Sequence, residues 1–525
     1  MIIDSCYRNY IQGGLFVALG LFLLLQSIQA QELTVQHDIN WIHGVDSSSS
    51  LNPANLSWEV LQMSFHDGEV SIQEIPSNSM FRVTNATISD AYGNLVAYTN
   101  GCQVFNADYQ VMGHGDSLNT GFSWNNLCTI NRGYSVPQGA LFLPDETDSS
   151  KYYLYHVENN TYESGDTFDL FLGPLYRSTV DLSTNNGLGQ LWPKRQMMSE
   201  DKLQGILTAV RTADLSGWWI MSHLRESDIF VRYRQDPDTL LGPWYQSVGV
   251  ESDLNSVSGG NGLFSPQGDR FAWISSQDGL NVLDFDRESG LLANPRTLHI
   301  PGQWNEFMWC AFASEGRFLY VNTLDSIWQI DTWEEDLAIG AELVAEYDGF
   351  VDVLSTTFFG ATLAPDCRIY VNSANGTWWM HYIAHPNRKG LACDVKQHAI
   401  NTPNLVFVAL PNMVNYRLGV GPVCDSTIVL TSVENPITLP EDEKEKAILV
   451  WPNPGNDFLS MFLPVQGEGV VRVIDLQGRP VLAEMVKPLA IGMDINTSAL
   501  SPGIYLIVLQ QKGQPVRQVK WIKAK

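Results

Sequence analysis

The sequence is poor in charged residues, and it is poorest in cations. Charged residues make up 17% of the 525 positions, and 57 acidic residues stand against 31 Lys and Arg, for a formal net charge of −26. Proteins bind nucleic acid mainly through Lys and Arg, so this balance argues against nucleic acid as a partner. The chain is nevertheless 44% hydrophobic, which suits large buried cores and argues against disorder.

Signature motifs of the common enzyme classes are also missing. For nucleotide binding, the sequence has neither a GxxxxGK[ST] phosphate loop nor a Rossmann fingerprint. It also has no GxSxG elbow, which marks many hydrolases, and no HExxH or CxxC pair, which are typical of zinc sites. A glycosidase needs two carboxylates across a cleft, and so many Asp and Glu residues leave that pair unassignable. We therefore assign no catalytic, cofactor-binding or metal-binding residue. The sequence has no DxDxDG calcium loop, but its acidic loops leave Ca²⁺ binding open as a possibility.

The chain has one markedly apolar run, near its N-terminus. Leu15 to Leu25 is apolar apart from one Gly and follows a short polar start with Arg8. A membrane-spanning helix needs roughly 20 apolar residues, so this run is too short to be an anchor. Ile28 and Ala30 then suit the −3 and −1 positions of a cleavage site. The layout predicts a secretory signal peptide over residues 1–30, cut between Ala30 and Gln31.

Cysteine is scarce, with seven in the whole chain. Removal of the signal peptide leaves six: Cys102, Cys128, Cys310, Cys367, Cys393 and Cys424. An even number in an exported chain allows three disulfides in fifteen pairings. Cys102 and Cys128 are close enough in sequence to pair locally. We expect most of the six to pair, with two free thiols or fewer.

Charge divides the exported chain into two parts. Residues 31–446 carry 22 basic and 51 acidic residues, whereas residues 447–525 carry 8 and 5. The stretch Pro436 to Lys446 between them has two prolines and a charge run, which is typical of an exposed linker. These shifts predict four segments: a signal peptide at 1–30, a body at 31–432, a linker at 433–446 and a C-terminal domain at 447–525.

The body is built of short, alternating or β-branched runs separated by turn residues, which predicts an all-β fold. It also repeats. Phe264–Trp273 matches Phe312–Tyr320, 48 residues later, and Leu363–Val371, a further 51 residues on. Each copy reads as strand, tight turn and strand, with Gly268 and Gly316 at equivalent places in the turns. Repeats of this length are typical of the blades of a β-propeller.

Weaker copies of the repeat surround Tyr92-Gly93, Ser149-Ser150 and Ser216-Gly217. Six copies of the repeat are therefore recognisable, whereas the length of the body suits seven blades. We predict a closed propeller of six or seven blades, because radial closure removes the exposed edges of an open sheet. Two unrelated β-sandwiches are the alternative.

The C-terminal unit changes pattern and reads as several short strands in a small immunoglobulin-like β-sandwich. It resembles the type A sorting domain of the type IX secretion system of Bacteroidota, with Trp451 where the family more often has Tyr. The resemblance rests on motifs that contain Pro452, Asn453, Pro454, Asp475, Gly478, Gly503, Ile504, Tyr505, Lys520 and Lys523. It implies recognition by the type IX secretion machinery, removal by its peptidase, and either release or attachment to surface lipopolysaccharide. The expected location is the cell surface or the extracellular medium.

Two stretches of the body also resemble propeller-like surface proteins of the same phylum. Ile88–Gly101 is similar to their opening and Leu410–Gly419 to their closing stretch. The resemblance implies a fold and a setting, and it carries no activity over to particular residues.

Three functions remain open from the sequence. We favour an exported, non-enzymatic binding protein whose ligand is a protein or a glycan. The alternative is a secreted hydrolase or lyase that acts on polysaccharide with carboxylates in the propeller mouth, and a third is a structural role in the surface layer. Aromatic rings can stack on sugars or fill the space between blades, and packing is the expectation for most of the clustered tryptophans: Trp218, Trp219, Trp304, Trp309, Trp328, Trp333, Trp378 and Trp379.

Overall fold

The computed structural model describes most of the body and the sheets of the C-terminal unit. The described residues are 35–45, 59–164, 167–253, 260–300, 308–352, 354–374, 376–406, 408, 410–430, 450–451, 458–462, 469–475, 477–486, 492–511 and 516–523. The predicted signal peptide with its Ala30–Gln31 cleavage site, and the predicted linker, lie outside them.

The first half of the body consists of antiparallel sheets that follow one another along the chain, with one short helix, α1 (Phe122–Leu127), and 3-10 turns at Cys128–Ile130 and Asn185–Gly187. Its strands are β1 (Asn40–His43), β2 (Val60–Ser64), β3 (Glu69–Ile75), β4 (Ala86–Ser89), β5 (Leu95–Thr99), β6 (Val104–Asn106), β7 (Ala140–Pro144), β8 (Lys151–Ser164), β9 (Thr167–Asp181), β10 (Gln190–Leu191), β11 (Gln196–Ser199), β12 (Thr208–Arg211), β13 (Trp218–His223), β14 (Ile229–Gln235) and β15 (Leu240–Ser247).

The second half continues the pattern with three further four-stranded sheets, each formed by four consecutive strands, and a 3-10 turn at Gly390–Cys393. Its strands are β16 (Asn261–Phe264), β17 (Arg270–Ser275), β18 (Gly279–Asp286), β19 (Leu291–Leu298), β20 (Trp309–Phe312), β21 (Phe318–Asn322), β22 (Ser326–Asp331), β23 (Ala341–Glu346), β24 (Ala361–Leu363), β25 (Ile369–Val371), β26 (Thr377–Ile383), β27 (Val395–Val406) and β28 (Val429–Leu430).

The repeat read from the sequence is the turn between the first two strands of a sheet. In these turns the amides of Gly268 and Gly316 donate to the carbonyls three residues earlier, at 2.8 and 2.9 Å. Both glycines have a positive φ, 71° and 70°, which glycine adopts at little cost. Cys367 holds the same place with a φ of 66°. Gly268 and Gly316 therefore occupy equivalent hairpin turns, as predicted.

The sheets are arranged around a ring. First strands of successive sheets contact one another, as β4 contacts β7 and β20 contacts β24, and β27 of the last sheet packs against β2 and β3 of the first. One apolar core joins the first and last sheets across that junction, with Trp41 on one side and Tyr370 on the other. The body is therefore all-β and propeller-like, with its first and last sheets in contact.

Two of the three disulfides that the six mature cysteines allow are present. Cys102 pairs with Cys128, as their spacing indicated, and Cys367 pairs with Cys424. Cys310 and Cys393 are buried free thiols. Burial raises the pKa of the Cys310 thiol, so it stays protonated and unreactive at neutral pH. Two free thiols meet the expectation from the sequence.

The described part of the C-terminal unit contains two sheets that share one core. One sheet has the order β29-β30-β33 and the other β32-β31-β34-β35, and Met461 of the first lies in the same apolar cluster as Val473 and Trp521 of the second. The strands are β29 (Val450–Trp451), β30 (Phe458–Phe462), β31 (Gly469–Ile474), β32 (Pro480–Val486), β33 (Gly492–Asn496), β34 (Gly503–Gln511) and β35 (Arg517–Lys523). Among the described residues, no helix has the length and apolarity needed to cross a membrane.

Four histidines are buried in the sheets, and burial disfavours their protonation. Desolvation lowers the pKa of His43, His223 and His381 to about 4. Desolvation, with Arg195 and Lys194 adding repulsion, lowers the pKa of His156 to about 3. The folded protein therefore binds fewer protons than the unfolded chain between the unfolded pKa of 6.5 and about 4.

We expect the free energy of unfolding to be highest above pH 6.5 and to fall as the pH drops towards 4, by about 3 kcal/mol for His43 alone. Urea unfolding at a series of pH values measures this. Replacing the fully buried His43 by Leu should flatten the slope, whereas His299→Gln, at an exposed position, should leave it unchanged. A wild-type stability that is constant from pH 7.5 to 4.5 would contradict the prediction.

Candidate functional site: the central channel and its closing segment

The ring encloses a small cavity at its centre. First strands of four successive sheets, β12, β16, β20 and β24, contribute to its wall. The rest of the wall is formed by Asp38, Gln138 and residues 411–415 and 423 of the stretch 410–430, which we call the closing segment. The cavity has a volume of about 110 Å³, enough for a few water molecules. The chain itself therefore fills much of the space in which many ring-shaped proteins bind ligands.

Asn412 anchors the closing segment to several sheets at once. Its side-chain amide donates to the carbonyls of Ala140 and Leu207, both at 2.9 Å, and its backbone amide donates to the carbonyl of Asn85 at 2.8 Å. Its side-chain oxygen accepts from Gln138 at 3.0 Å, and Gln138 in turn bonds the backbone of Gly262 in β16. Asn412 thus satisfies polar groups at the inner ends of three sheets directly, and it reaches a fourth through Gln138.

A buried ion pair ties the closing segment to the start of the body. The Arg417 guanidinium donates to both carboxylate oxygens of Asp38, and the Arg417 side chain is 1% exposed. The neighbouring Tyr416 donates its hydroxyl to the carbonyl of Phe142 at 2.9 Å. Because a buried charge is costly unless it is paired, this contact holds the two ends of the body in one arrangement.

The far end of the closing segment is fixed covalently and by a strand. Cys424 forms its disulfide with Cys367 in the first turn of the last sheet, and the Asp425 amide donates to the carbonyl of Pro365 at 2.7 Å. β28 then pairs in parallel with β3 at the outer edge of the first sheet. The segment similar to a family closing stretch is therefore the element that joins the last sheet to the first.

The lining of the cavity contains few acidic groups. Among the described residues that line it, Asp38 is the single carboxylate, and Asp38 is already bound by Arg417. Carboxylate catalysis of glycosidic cleavage needs two such groups with different protonation states. Within the described parts of the chain, no group of three His, Cys, Asp or Glu side chains is placed to hold a metal ion.

The tryptophans mostly pack, as expected. Trp218 and Trp219 are buried in separate cores, and Trp328 packs partly buried against another. Trp309 is half-buried at the cavity wall, where its indole donates to the carbonyl of Ala361. Trp378 and Trp379 are half-buried, and Trp304 lies outside the described residues. Trp333 differs from these, because 59% of it is exposed.

In the C-terminal unit, Asp475 and Gly478 form the turn between β31 and β32. The Asp475 carboxylate accepts from the amides of Gln477 and Arg479, both at 2.9 Å, and from the Arg479 side chain at 2.8 Å. Gly478 has a φ of 78°, which a residue with a Cβ rarely adopts. The Asp and Gly of this motif thus have a local structural role as well as any role in recognition.

Other residues of the sorting motif lie on one sheet. Gly503, Ile504 and Tyr505 begin β34, and Gly503 pairs with Lys523 in β35. Tyr505 is buried against Trp521, whereas Lys520 is exposed. Pro452, Asn453 and Pro454 lie outside the described residues.

The sequence alone could not have identified the contacts that hold the closing segment against the sheets. Asp38 and Arg417 are 379 positions apart, and Asp38 lies in none of the motifs identified in the sequence. Asn412 and Arg417 do lie in the stretch that resembles a family closing segment, and that resemblance was the one available signal.

Comparison with known proteins agrees with the reading of the C-terminal unit. Residues 449–524 match the family described as the secretion system C-terminal sorting domain. None of the curated proteins matches this chain.

Several solved structures are similar to the body at low identity. A proposed 6-phosphogluconolactonase of Bacteroides uniformis is 13% identical with a TM-score of 0.40, covering 71% of this chain and 100% of its own. The periplasmic gluconolactonase PpgL of Pseudomonas aeruginosa is 13% identical with a TM-score of 0.40, covering 71% and 99%. The gluconolactonase XC5397 of Xanthomonas campestris is 13% identical with a TM-score of 0.28, covering 66% and 96%. These similarities assign no activity to this chain.

The four-stranded sheets, the contact between first and last sheets and the family match of the tail lead to one conclusion. The chain joins a β-propeller-like body to a C-terminal unit similar to sorting domains of the type IX secretion system, which marks it for export to the cell surface or beyond.

Proposed function

We propose that the body is a seven-bladed propeller and that the tail is an immunoglobulin-like sandwich. Seven sheets follow one another from β1 to β27 in the described residues, and the seventh packs against the first. The shared core of the two tail sheets supports a sandwich. The body then covers residues 31–432, and residues 433–446 link it to the tail at 447–525.

We propose that this protein is an exported, non-enzymatic binding protein that presents its surface to a glycan or a protein ligand. The observation that carries this proposal is the occupied channel: the closing segment crosses the centre of the ring, and the one described carboxylate at the cavity is neutralised by Arg417. A ligand would then bind on the faces or the rim of the ring. The long-range acidity of the body favours neutral or cationic ligands over polyanions.

Delivery follows from the tail. The type IX secretion machinery would carry the folded body across the outer membrane, and its peptidase would cut in the linker, because a cut between two domains leaves both of them folded. The body would then be released or attached to surface lipopolysaccharide. No cofactor is needed for this role.

The test is to incubate the purified full chain with a panel of polysaccharides and proteins and to measure both retention and cleavage. We expect binding to at least one glycan or protein ligand and no new reducing ends. Cleavage that disappears when a single carboxylate is replaced would overturn the proposal and establish the polysaccharide hydrolase or lyase instead.

A further inference from the structure

A groove at the rim of the ring has the chemistry of a sugar-binding site. It lies between the outer strand β19 of one sheet and the turn that joins β22 to β23 of the next. Trp333 and Glu335 contribute from that turn, and Asp284, Asn294 and Arg296 from β18 and β19. Its volume of about 540 Å³ lies in the range of small-molecule sites. We call it the Trp333 groove.

Trp333 is held in place although it is mostly exposed. Its backbone amide donates to the Asp331 carboxylate at 3.2 Å, and the Arg317 guanidinium lies 5.1 Å from the centre of its ring. Arg317 is itself fixed by the buried Asp331, to which it donates at 2.6, 3.0 and 3.1 Å. A rigid aromatic plane costs less entropy to bind against than a mobile one. Trp333 lines the groove, whereas Arg317 does not. Part of the indole surface is therefore accessible to a ligand in the groove.

The wall opposite the indole is also fixed. Arg296 crosses from β19 and donates to the carbonyls of Thr332 and Glu334, at 2.9 and 2.8 Å. The Asn294 amide donates to the Asp284 carboxylate at 2.9 Å. The neighbouring sheets are thus tied together across the groove, and the polar groups that face it belong to an ordered frame.

We propose that the Trp333 groove binds a neutral oligosaccharide, with a pyranose ring stacked on Trp333. The flat C–H face of a pyranose packs on an aromatic ring, and its hydroxyls both donate and accept hydrogen bonds. Asp284 and Glu335 accept such bonds, and Asn294 donates them, as does Arg270 of β17, which also lines the groove. Two arginines against two carboxylates leave the groove without a net charge, which favours a neutral ligand over a polyanion. This inference rests on the proposed binding function and names its ligand class.

Intrinsic fluorescence and calorimetry on the full chain test this with cellohexaose, maltohexaose, xylohexaose and mannohexaose as probes. We expect one of them to bind, Trp333→Ala to weaken that binding at least tenfold, and Trp333→Phe to restore part of it. Asp284→Asn with Glu335→Gln should also weaken it. The matched control is Trp192→Ala, which removes an indole that is 62% exposed and lies after β10 of another sheet. Circular dichroism melting of each variant reports whether the fold is intact.

The outcomes separate this inference from the proposed function. If a hexaose binds equally well to Trp333→Ala, the groove is not the site, and the binding function stands. If none of the hexaoses binds but a protein or peptide does, the ligand class is wrong, and the binding function again stands. If the wild type cleaves a hexaose, the non-enzymatic function itself fails.

Discussion

Replacing Arg417 by Met is expected to lower the free energy of unfolding of the body by about 3–5 kcal/mol, because Asp38, whose side chain is only 13% exposed, would be left as an unpaired charge. Arg417 is almost fully buried and also donates to the carbonyl of Val423 at 3.2 Å. Urea unfolding followed by tryptophan fluorescence measures the change. Protease sensitivity within the closing segment should increase in parallel, since this pair holds that segment to the start of the body.

Two further variants make the result specific. The double variant Arg417→Met with Asp38→Asn removes both charges and should recover much of the loss. Lys396→Met breaks a surface pair in which both side chains are more than 40% exposed, so it should lower the free energy of unfolding far less than Arg417→Met does. If Arg417→Met is no more costly than Lys396→Met, the ion pair does not close the ring.

Deleting residues 447–525 is expected to abolish appearance of the protein at the surface while leaving a folded body in the periplasm. The tail has its own core of apolar side chains, and that core contains no residue of the body. Removing the tail therefore leaves the apolar cores of the body intact. Cell fractionation measures the location, and circular dichroism of the retained protein measures its fold. Mass spectrometry of the intact protein's surface form should show that the tail has been removed.

Point variants distinguish recognition of the tail by the secretion machinery from folding of the tail. Lys520→Ala changes an exposed side chain and should impair export without changing the melting temperature of the tail. Tyr505→Ala removes a buried ring and a hydrogen bond to the carbonyl of Ser501 at 2.8 Å, so it should impair both. The sorting assignment is wrong if the truncated protein reaches the surface or if the surface form still ends at Lys525.

Local patterns were sufficient to predict the repeating architecture. The hairpin turns at Gly268, Gly316 and Cys367 recur because each sheet begins with the same strand-turn-strand unit. The weaker copies at Tyr92-Gly93, Ser149-Ser150 and Ser216-Gly217 also fall between the first two strands of their sheets. The repeat could not be recognised in the first sheet, because β1 and β2 are separated by residues 44–59, which is too long for the tight turn of the other copies.

Closure and the candidate site depended on tertiary structure. By itself the sequence determined the all-β class, the repeat and the C-terminal sorting unit, and it indicated the local Cys102–Cys128 pair, since each rests on residues that are near one another in the chain. Tertiary structure decided the rest, as distant strands came together: the Asp38–Arg417 pair, the contacts of Asn412, and which tryptophans are exposed, such as Trp333, or buried, such as Trp218. Periodicity reports which residues share a face of one strand, but the neighbour that covers that face is set by ring closure.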